Sequence, residues 1–456
     1  MGGLNGILDV AKRALSAQRA GIDVTSHNIS NASTPGYTRQ RLNLSATPPM
    51  SETYGYIGTG VAATSVQRIR ESFVDQQIWN TNQYLGKSTQ QQNSLSQVEA
   101  ALNEPTDAGL GSMINNFFNS FQDLSLHPED SSYRNAVVQK VAAMSDGFHR
   151  ITGSLDQLKS DLALDAQSKV DQINSLVKAI YDDGKQITSL EAGGLSANDM
   201  RDARDSKIED LSKLANIKVT DDGQGGTMIS IGSYSIESRF GCGALQVGFA
   251  GSQMQITAQG TAEAVDISGG ELGGVLDTRN VQIPGYQAKL DSLASTMMTA
   301  INTAHAAGFG LGTPPPTGTN LFVGVDARSM NINPAVAADL NLIAASGDGA
   351  PGNNTVAQAL SDVGNQKLMN GASTSIPQFY SNLVSDVGAS IQTASNTVKS
   401  QDLVLTQLTN QRDSISGVSI DEEMVQLLKF QNGFSAAAKI VTTVNQMFNS
   451  MLDMVP

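Results

Sequence analysis

Both ends of the chain carry apolar residues at every seventh position. Near the N-terminus, Leu8, Leu15, Ile22 and Ile29 hold this spacing, with Leu4, Ala11, Gln18 and Thr25 as a weaker second row. Near the C-terminus, Leu427, Phe434, Val441 and Phe448 repeat it, beside Met424, Gln431, Ala438, Asn445 and Leu452. A seven-residue apolar repeat lays one stripe along one side of a helix, the geometry for packing helix on helix. Each end is therefore built to find a partner helix, and the nearest candidate is the other end. Burial of eight large stripe residues, at about 1.5–3 kcal/mol each, contributes at most about 12–24 kcal/mol. Ordering the backbone of both ends costs about 1–2 kcal/mol per residue, and Gly2, Gly3, Gly6 and Gly21 weaken the first helix further. The two ends are thus expected to be loose in a monomer and to become ordered when copies assemble.

Between the ends the pattern changes repeatedly. Residues 1–32 read as helix; Asn31 suits a left-handed cap and Pro35-Gly36 the centre of a type II turn. Residues 37–69 are β-branched and turn-rich, as in short strands. Long helices are predicted over 71–102, 131–190 and 198–215, with a shorter one over 110–124 and breaks at Pro105, Pro128 and Gly193-Gly194. Residues 216–274 alternate apolar and polar positions between glycine turns, the mark of a small β domain. Helix resumes over 284–306, a Gly/Pro-rich stretch over 308–354 wraps a scaffold, and a long helix covers 376–414. Ser419-Ile420-Asp421-Glu422 is a capping box opening the last helix. The expected fold is mainly α with β and multidomain. Paired terminal coiled-coil helices (1–70 with 416–456) form one unit, a long-helix bundle (71–215 with 275–415) a second, and the β segment (216–274) a small outer domain.

Composition narrows the function. Aromatic residues make up only 5% against 40% hydrophobic, which suits long helices packed through Ala, Leu, Val and Met. A formal charge of −14 argues against nucleic acid, since binding phosphates requires clustered cations. No apolar run is long enough to insert in a membrane, and the amphipathic start is no cleavable secretory signal. The single Cys242 excludes an internal disulfide framework.

Candidate chemistry is sparse. His27, His127, His149 and His305 have no metal-binding spacing, so neither a metal nor a cofactor is expected. His27 lies in the last turn of its helix, where a cation meets the dipole. The most enzyme-like run, Asn198-Asp199-Met200-Arg201-Asp202-Ala203-Arg204-Asp205, falls on one helix. It reads as a solvated face, with Arg201 and Asp205 paired at i,i+4 and Asn198 as a cap. No catalytic residues are expected.

Two segments resemble a known family. Ser26-His27-Asn28-Ile29-Ser30-Asn31-Ala32-Ser33-Thr34-Pro35-Gly36-Tyr37 looks like the N-terminal signature of the bacterial flagellar rod, hook and hook-associated proteins, and GVSIDEEMVQLLKFQNGFSAAAKIVTTVNQMFNSML is similar to its C-terminal signature. The segments NDMRDARDSKIEDLSKLANIKV and SGGELGGVLDTRNVQIP, followed by INTAHAAGFG, resemble the members that sit at the hook–filament junction. The short 216–274 region departs from longer members, which carry an extra outer domain. The resemblance implies an inner tubular layer of paired terminal helices, export by the flagellar type III apparatus without a cleaved signal, and a ring of copies between hook and filament. Its implied partners are further copies, the hook protein, the second junction protein and an export chaperone. The assembly interface would comprise Leu4, Leu8, Leu15, Ile22, Ile29, Met424, Leu427, Phe434, Val441, Phe448 and Leu452, with Asn31, Thr34, Pro35, Gly36 and Tyr37 turning the chain outward. A hook or distal rod subunit is the nearest alternative, distinguished by an expected β-rich middle. A flagellum-associated peptidoglycan hydrolase would need converging carboxylates that this sequence does not display.

Overall fold

A computed structural model describes residues 3–52, 55–104, 106–221, 226–261 and 263–453. Gly2 and the predicted breaker Pro105 lie outside these residues. The chain opens with helix α1 (Gly3–Ser30), then a long two-stranded arm: β1 (Gln40–Ala46) pairs antiparallel with β4 (Val61–Arg68), and β2 (Met50–Glu52) pairs with β3 (Gly55–Ile57) at its far end. Helices α2 (Ser72–Leu102), α3 (Leu110–Leu126), α4 (Ser131–Glu191) and α5 (Asn198–Leu214) follow. Among them α4 is the spine. Its 61 residues span about 90 Å at 1.5 Å per residue, and buried positions recur from Arg134 to Ile187. Asp130 starts it, its carboxylate accepting from the Ser132 N–H at 2.7 Å.

The β segment forms two antiparallel sheets. One holds β5 (Ile217–Asp221), β6 (Thr227–Ile231), β7 (Tyr234–Ser238) and β8 (Gly241–Cys242); the other holds β9 (Leu245–Ala250), β10 (Gln253–Ala258) and β11 (Ala264–Val265). Their inward residues Ile229, Ile231, Ile236 and Ile256 join the same hydrophobic cluster as Ile151, Val170 and Ile173 of α4. The strands end earlier than expected. Helix α6 (Gly270–Asp277) already occupies the last positions of the predicted β region. Its sequence, GELGGVLD, hides a helix because three glycines lower its propensity. Those glycines let it press against backbone: a Cβ at Gly274 would sit 2.6 Å from the Lys87 carbonyl oxygen of α2. A π-helical turn over residues 278–282 joins α6 to α7 (Ile283–Ala307).

The Gly/Pro-rich stretch after α7 carries β12 (Phe322–Val323), β13 (Asn331–Ile332) and the short helix α8 (Pro334–Ala338), ahead of α9 (Thr355–Asp362). Two buried side chains nail it to the scaffold. Arg134 donates to the carbonyls of Ile343 (2.5 Å) and Pro128 (2.7 Å). The ring of His305 bonds Thr319 O through Nδ1 at 2.6 Å and accepts the Ala344 N–H on Nε2 at 3.0 Å. Burial pushes the His305 pKa down to about 4, so the ring stays neutral and both nitrogens keep these roles. A hairpin of β14 (Lys367–Met369) and β15 (Thr374–Ser375) leads into α10 (Ile376–Ser416), which returns along α2. The chain closes with α11 (Ile420–Leu452), capped by Ser419 as its capping box predicts.

Candidate assembly interface

Helices α1 and α11 pack on each other and run antiparallel. Asn28 Nδ2 reaches Glu423 Oε2 at 3.0 Å. A Cβ at Gly21 would lie 2.5 Å from the Phe430 ring, and one at Gly433 would lie 2.7 Å from the Gln18 side chain. Gly21 thus makes room for the Phe430 ring, and Gly433 for the Gln18 side chain, across the contact. The buried residues of α1 are accordingly small or polar: Ala11, Ala17, Gly21, Thr25 and Asn28. Those of α11 are Glu423, Ala437 and Val444.

This corrects which row faces which. The rows expected to close on one another do not form the seam within one chain. Leu4, Leu8, Leu15, Ile22 and Ile29 remain half-buried, as do Leu427, Val441 and Phe448. Met424, Phe434 and Leu452 are exposed, at 45%, 37% and 69%. On α1 the weak row, represented by Ala11 and Thr25, supplies the interior instead; on α11 the interior is Glu423, Ala437 and Val444, which belong to neither predicted row. Large apolar side chains therefore flank a thin seam of small ones, and Leu428, Ile440 and Met447 extend the uncovered surface on α11.

The turn after α1 is tied down residue by residue. Tyr37 N–H donates to Thr34 O at 3.2 Å, and Gly36 sits at φ +79°, which a type II turn requires of its third residue. Asn31 differs from expectation: it is not left-handed. Its backbone N–H and its Nδ2 both donate to His27 O, each at 3.1 Å, so the side chain satisfies the helix-end carbonyl that a left-handed cap would otherwise serve. Thr34 Oγ1 then bonds Asn31 Oδ1 at 3.2 Å.

The residue at the centre of this region is one the periodicity missed. Asn28, 1% exposed, accepts from Tyr37 Oη (2.8 Å) and Gln40 N (3.0 Å), and donates to Gln40 O (2.9 Å) as well as Glu423. Burial and the carboxylates of Asp199, Asp202 and Glu423 raise the Tyr37 pKa, so its hydroxyl remains a donor. Arg39 completes the corner, donating to Glu423 at 2.7 Å and Glu422 at 2.9 Å. The signal available in sequence was polarity in an unexpected place: Thr25 and Asn28 fall on the inner side of an amphipathic helix.

The carboxylate run on α5 is likewise not a solvated face. Asp202 and Asp205 are buried and receive Arg68 at 2.6 and 2.9 Å. Asp205 also pairs with Arg70 and Arg204. Arg201 turns to Glu191 at 2.6 Å and holds that carboxyl below its usual range. Asn198 bonds Gln40 Oε1 and Val66 O rather than capping its helix. Among the described residues no group of three His, Cys, Asp or Glu could hold a metal, and no helix is long and apolar enough to cross a membrane.

Comparison with known proteins matches three separate stretches of the chain. The family described as "Flagellar hook-associated protein FlgK helical domain" matches residues 95–322. "Flagella basal body rod protein" matches 8–38, and "Flagellar basal body rod FlgEFG protein C-terminal" matches 409–454. Flagellar hook-associated protein 1 of Bacillus subtilis is 31% identical over 98% of this chain and 97% of that protein. Its Escherichia coli counterpart is 24% identical over 99% of this chain and 100% of its own. The solved structure of the flagellar hook junction protein FlgK from Burkholderia pseudomallei superposes with a TM-score of 0.64 at 15% identity, covering 75% of this chain and 100% of that one; it speaks to the fold alone.

Proposed function

The chain belongs to the family of flagellar hook-associated protein 1, and from that premise we propose how its two ends make it a joint between hook and filament. It is a structural protein of the hook–filament junction. The reading rests on one observation: the α1–α11 pair is closed by small residues and bordered by half-open large ones. A pair of this build gains little from its own contact and much from neighbours that cover its flanks.

On this reading, copies associate through Leu8, Leu15, Ile22 and Ile29 on α1 and through Leu427, Phe434, Val441 and Phe448 on α11, forming a ring whose inner wall is the helix pair. The hook protein lies on one side of the ring and the second junction protein on the other. Before assembly the α11 stripe is the natural site for an export chaperone, since an amphipathic helix docks by its apolar face. Export proceeds through the flagellar type III apparatus without cleavage of a signal. The β-rich middle expected of a hook or distal rod subunit is absent from α2–α5, which are helical throughout.

The test is charge on the flank. Leu427→Asp and Phe434→Asp should stop incorporation, leaving cells with hooks but no filaments, while the purified proteins keep the helical circular dichroism and melting of the wild type. Intact filaments on either mutant would defeat the proposal.

A further inference from the structure

The connection between the terminal layer and the helical body is made of charge more than of apolar surface. The chain crosses between them twice, through residues 69–71 and 417–419, each outside any helix or strand. The small apolar cluster nearest the crossings, Val74, Ile78 and Leu408 with Leu405, joins α2 to α10 within the body and does not reach the terminal layer. A row of carboxylates lies along one face of α5: Asp199, Asp202, Asp205 and Glu209, spaced three and four residues apart. The first three hold groups from the turn, the arm or a crossing, and Glu209 holds the end of α10 that leads into the second crossing. Asp199 accepts from Gln40 Nε2 at 2.7 Å, and Asp202 from the Thr38 N–H at 2.9 Å as well as Arg68. Asp205 accepts from Arg68 and Arg70, and Glu209 from Arg412 at 2.7 Å, in the last turns of α10. Arg39 ties the end of α10 to the first crossing, its N–H donating to Ser416 O at 2.9 Å and its carbonyl accepting from the Ile69 N–H at 2.8 Å.

We infer that the two crossings are a hinge and that the α5 carboxylate row is the clamp that sets its angle. Apolar contact tolerates small rotations, because it is non-directional. A buried charge does not, because it must keep a partner. A tilt that drew Arg68 away from Asp202 and Asp205 would strand buried groups on both sides, so one orientation satisfies every rung at once. A fully satisfied polar network of this kind rigidifies what it joins. The inference deepens the junction reading, on which it rests for its use: the clamp fixes the angle at which each body stands off the tube wall.

The test needs no assembly. Spin labels at Ser45→Cys on the arm and Gln186→Cys on α4, in a Cys242→Ser background of the full chain, report the layer-to-body distance by pulsed electron resonance. Both labels lie outside α1 and α11, so opening of the helix pair does not enter the reading. The parent should give one narrow distribution. Asp202→Asn with Asp205→Asn should at least double its width, Glu209→Gln should widen it less, and Asp146→Asn, on the exposed side of α4, should leave it unchanged. An unbroadened distribution in the double variant overturns the inference. If circular dichroism shows that variant unfolded, Arg68→Gln and Glu209→Gln decide, and unchanged widths in both would overturn it equally. Failure here leaves the incorporation test of Leu427→Asp untouched, and a failed incorporation test leaves this one untouched.

Discussion

The helical body and the terminal layer are built from the same kind of helix and reach different degrees of closure. In the body, Phe117, Phe121 and Phe148 are wholly buried, and the Phe117 ring meets Phe121 at 5.4 Å and Phe322 at 5.7 Å between centroids. These core side chains find their neighbours within the chain, although the body also exposes Phe73, Leu126, Leu164 and Leu403 at its surface. In the terminal layer, α11 buries Glu423, Ala437 and Val444 while Met424, Phe434 and Met447 stay open. The body's core is closed within the chain, whereas the terminal pair leaves large residues partly open; on the proposed reading, other copies supply the remaining surface. Small residues at the α1–α11 contact let two helices associate at all. Large residues on the flanks, Met424, Phe434 and Met447 among them, stay partly open in a single pair.

Substitutions that ignore or exploit this contrast should separate the two regions. Phe148→Ala should lower the stability of the isolated protein by about 3–5 kcal/mol, because it leaves a cavity in a closed core. Phe434→Ala should cost about 1 kcal/mol or less in the same urea titration, since its ring is already partly in water. Equal losses would erase the distinction.

A second contrast is acid sensitivity. The His305 ring is buried in the body and its pKa is depressed to about 4, against 6.5 for a free imidazole. Its stabilisation is therefore complete above pH 6.5 and is lost as pH falls from 6.5 toward 4, because the unfolded chain takes up a proton that the native chain refuses. Between pH 7.5 and 5 the loss should be about 2 kcal/mol. Paired denaturant titrations of wild type and His305→Gln should show that dependence only in the former. A flat response in the wild type would remove His305 as the acid-labile pin of the Gly/Pro-rich stretch.

A smaller and more local effect belongs to the polar corner. Asn28→Ala strips partners from Glu423, Tyr37 and the Gln40 N–H, and should cost about 1–3 kcal/mol. That loss should appear as faster amide exchange in α1, the start of β1 and the first turns of α11, while α4 keeps its protection. Uniform loss across α4 would mean that the two regions do not open separately.

Sequence legibility follows the same division. The long helices of the body were readable to within a residue or two because their apolar periodicity is sustained and their breaks carry Pro or paired Gly. Gly270–Asp277 was not, since glycines needed for backbone contact look like turn residues. The heptad rows announced that the ends pack as helices but misassigned the inner side. Periodicity reports where apolar residues fall, whereas the closeness of two helices is set by Gly21 and Gly433, which carry no side chain to register. Asn28 and the α5 carboxylates were opaque for a further reason. Their partners, Glu423 in one case and Arg68 and Arg70 in the other, lie more than a hundred residues away, and local spacing could only pair Asp205 with the nearer Arg201.

The central claim is that the terminal helices are completed by other copies. Hydrogen exchange read by mass spectrometry tests it on one sample in two states. In soluble monomer, amides of α1 and α11 should exchange far faster than those of α4, and in assembled tubes they should become protected to a similar degree. Protection of α1 and α11 in the monomer equal to that of α4 would contradict the account.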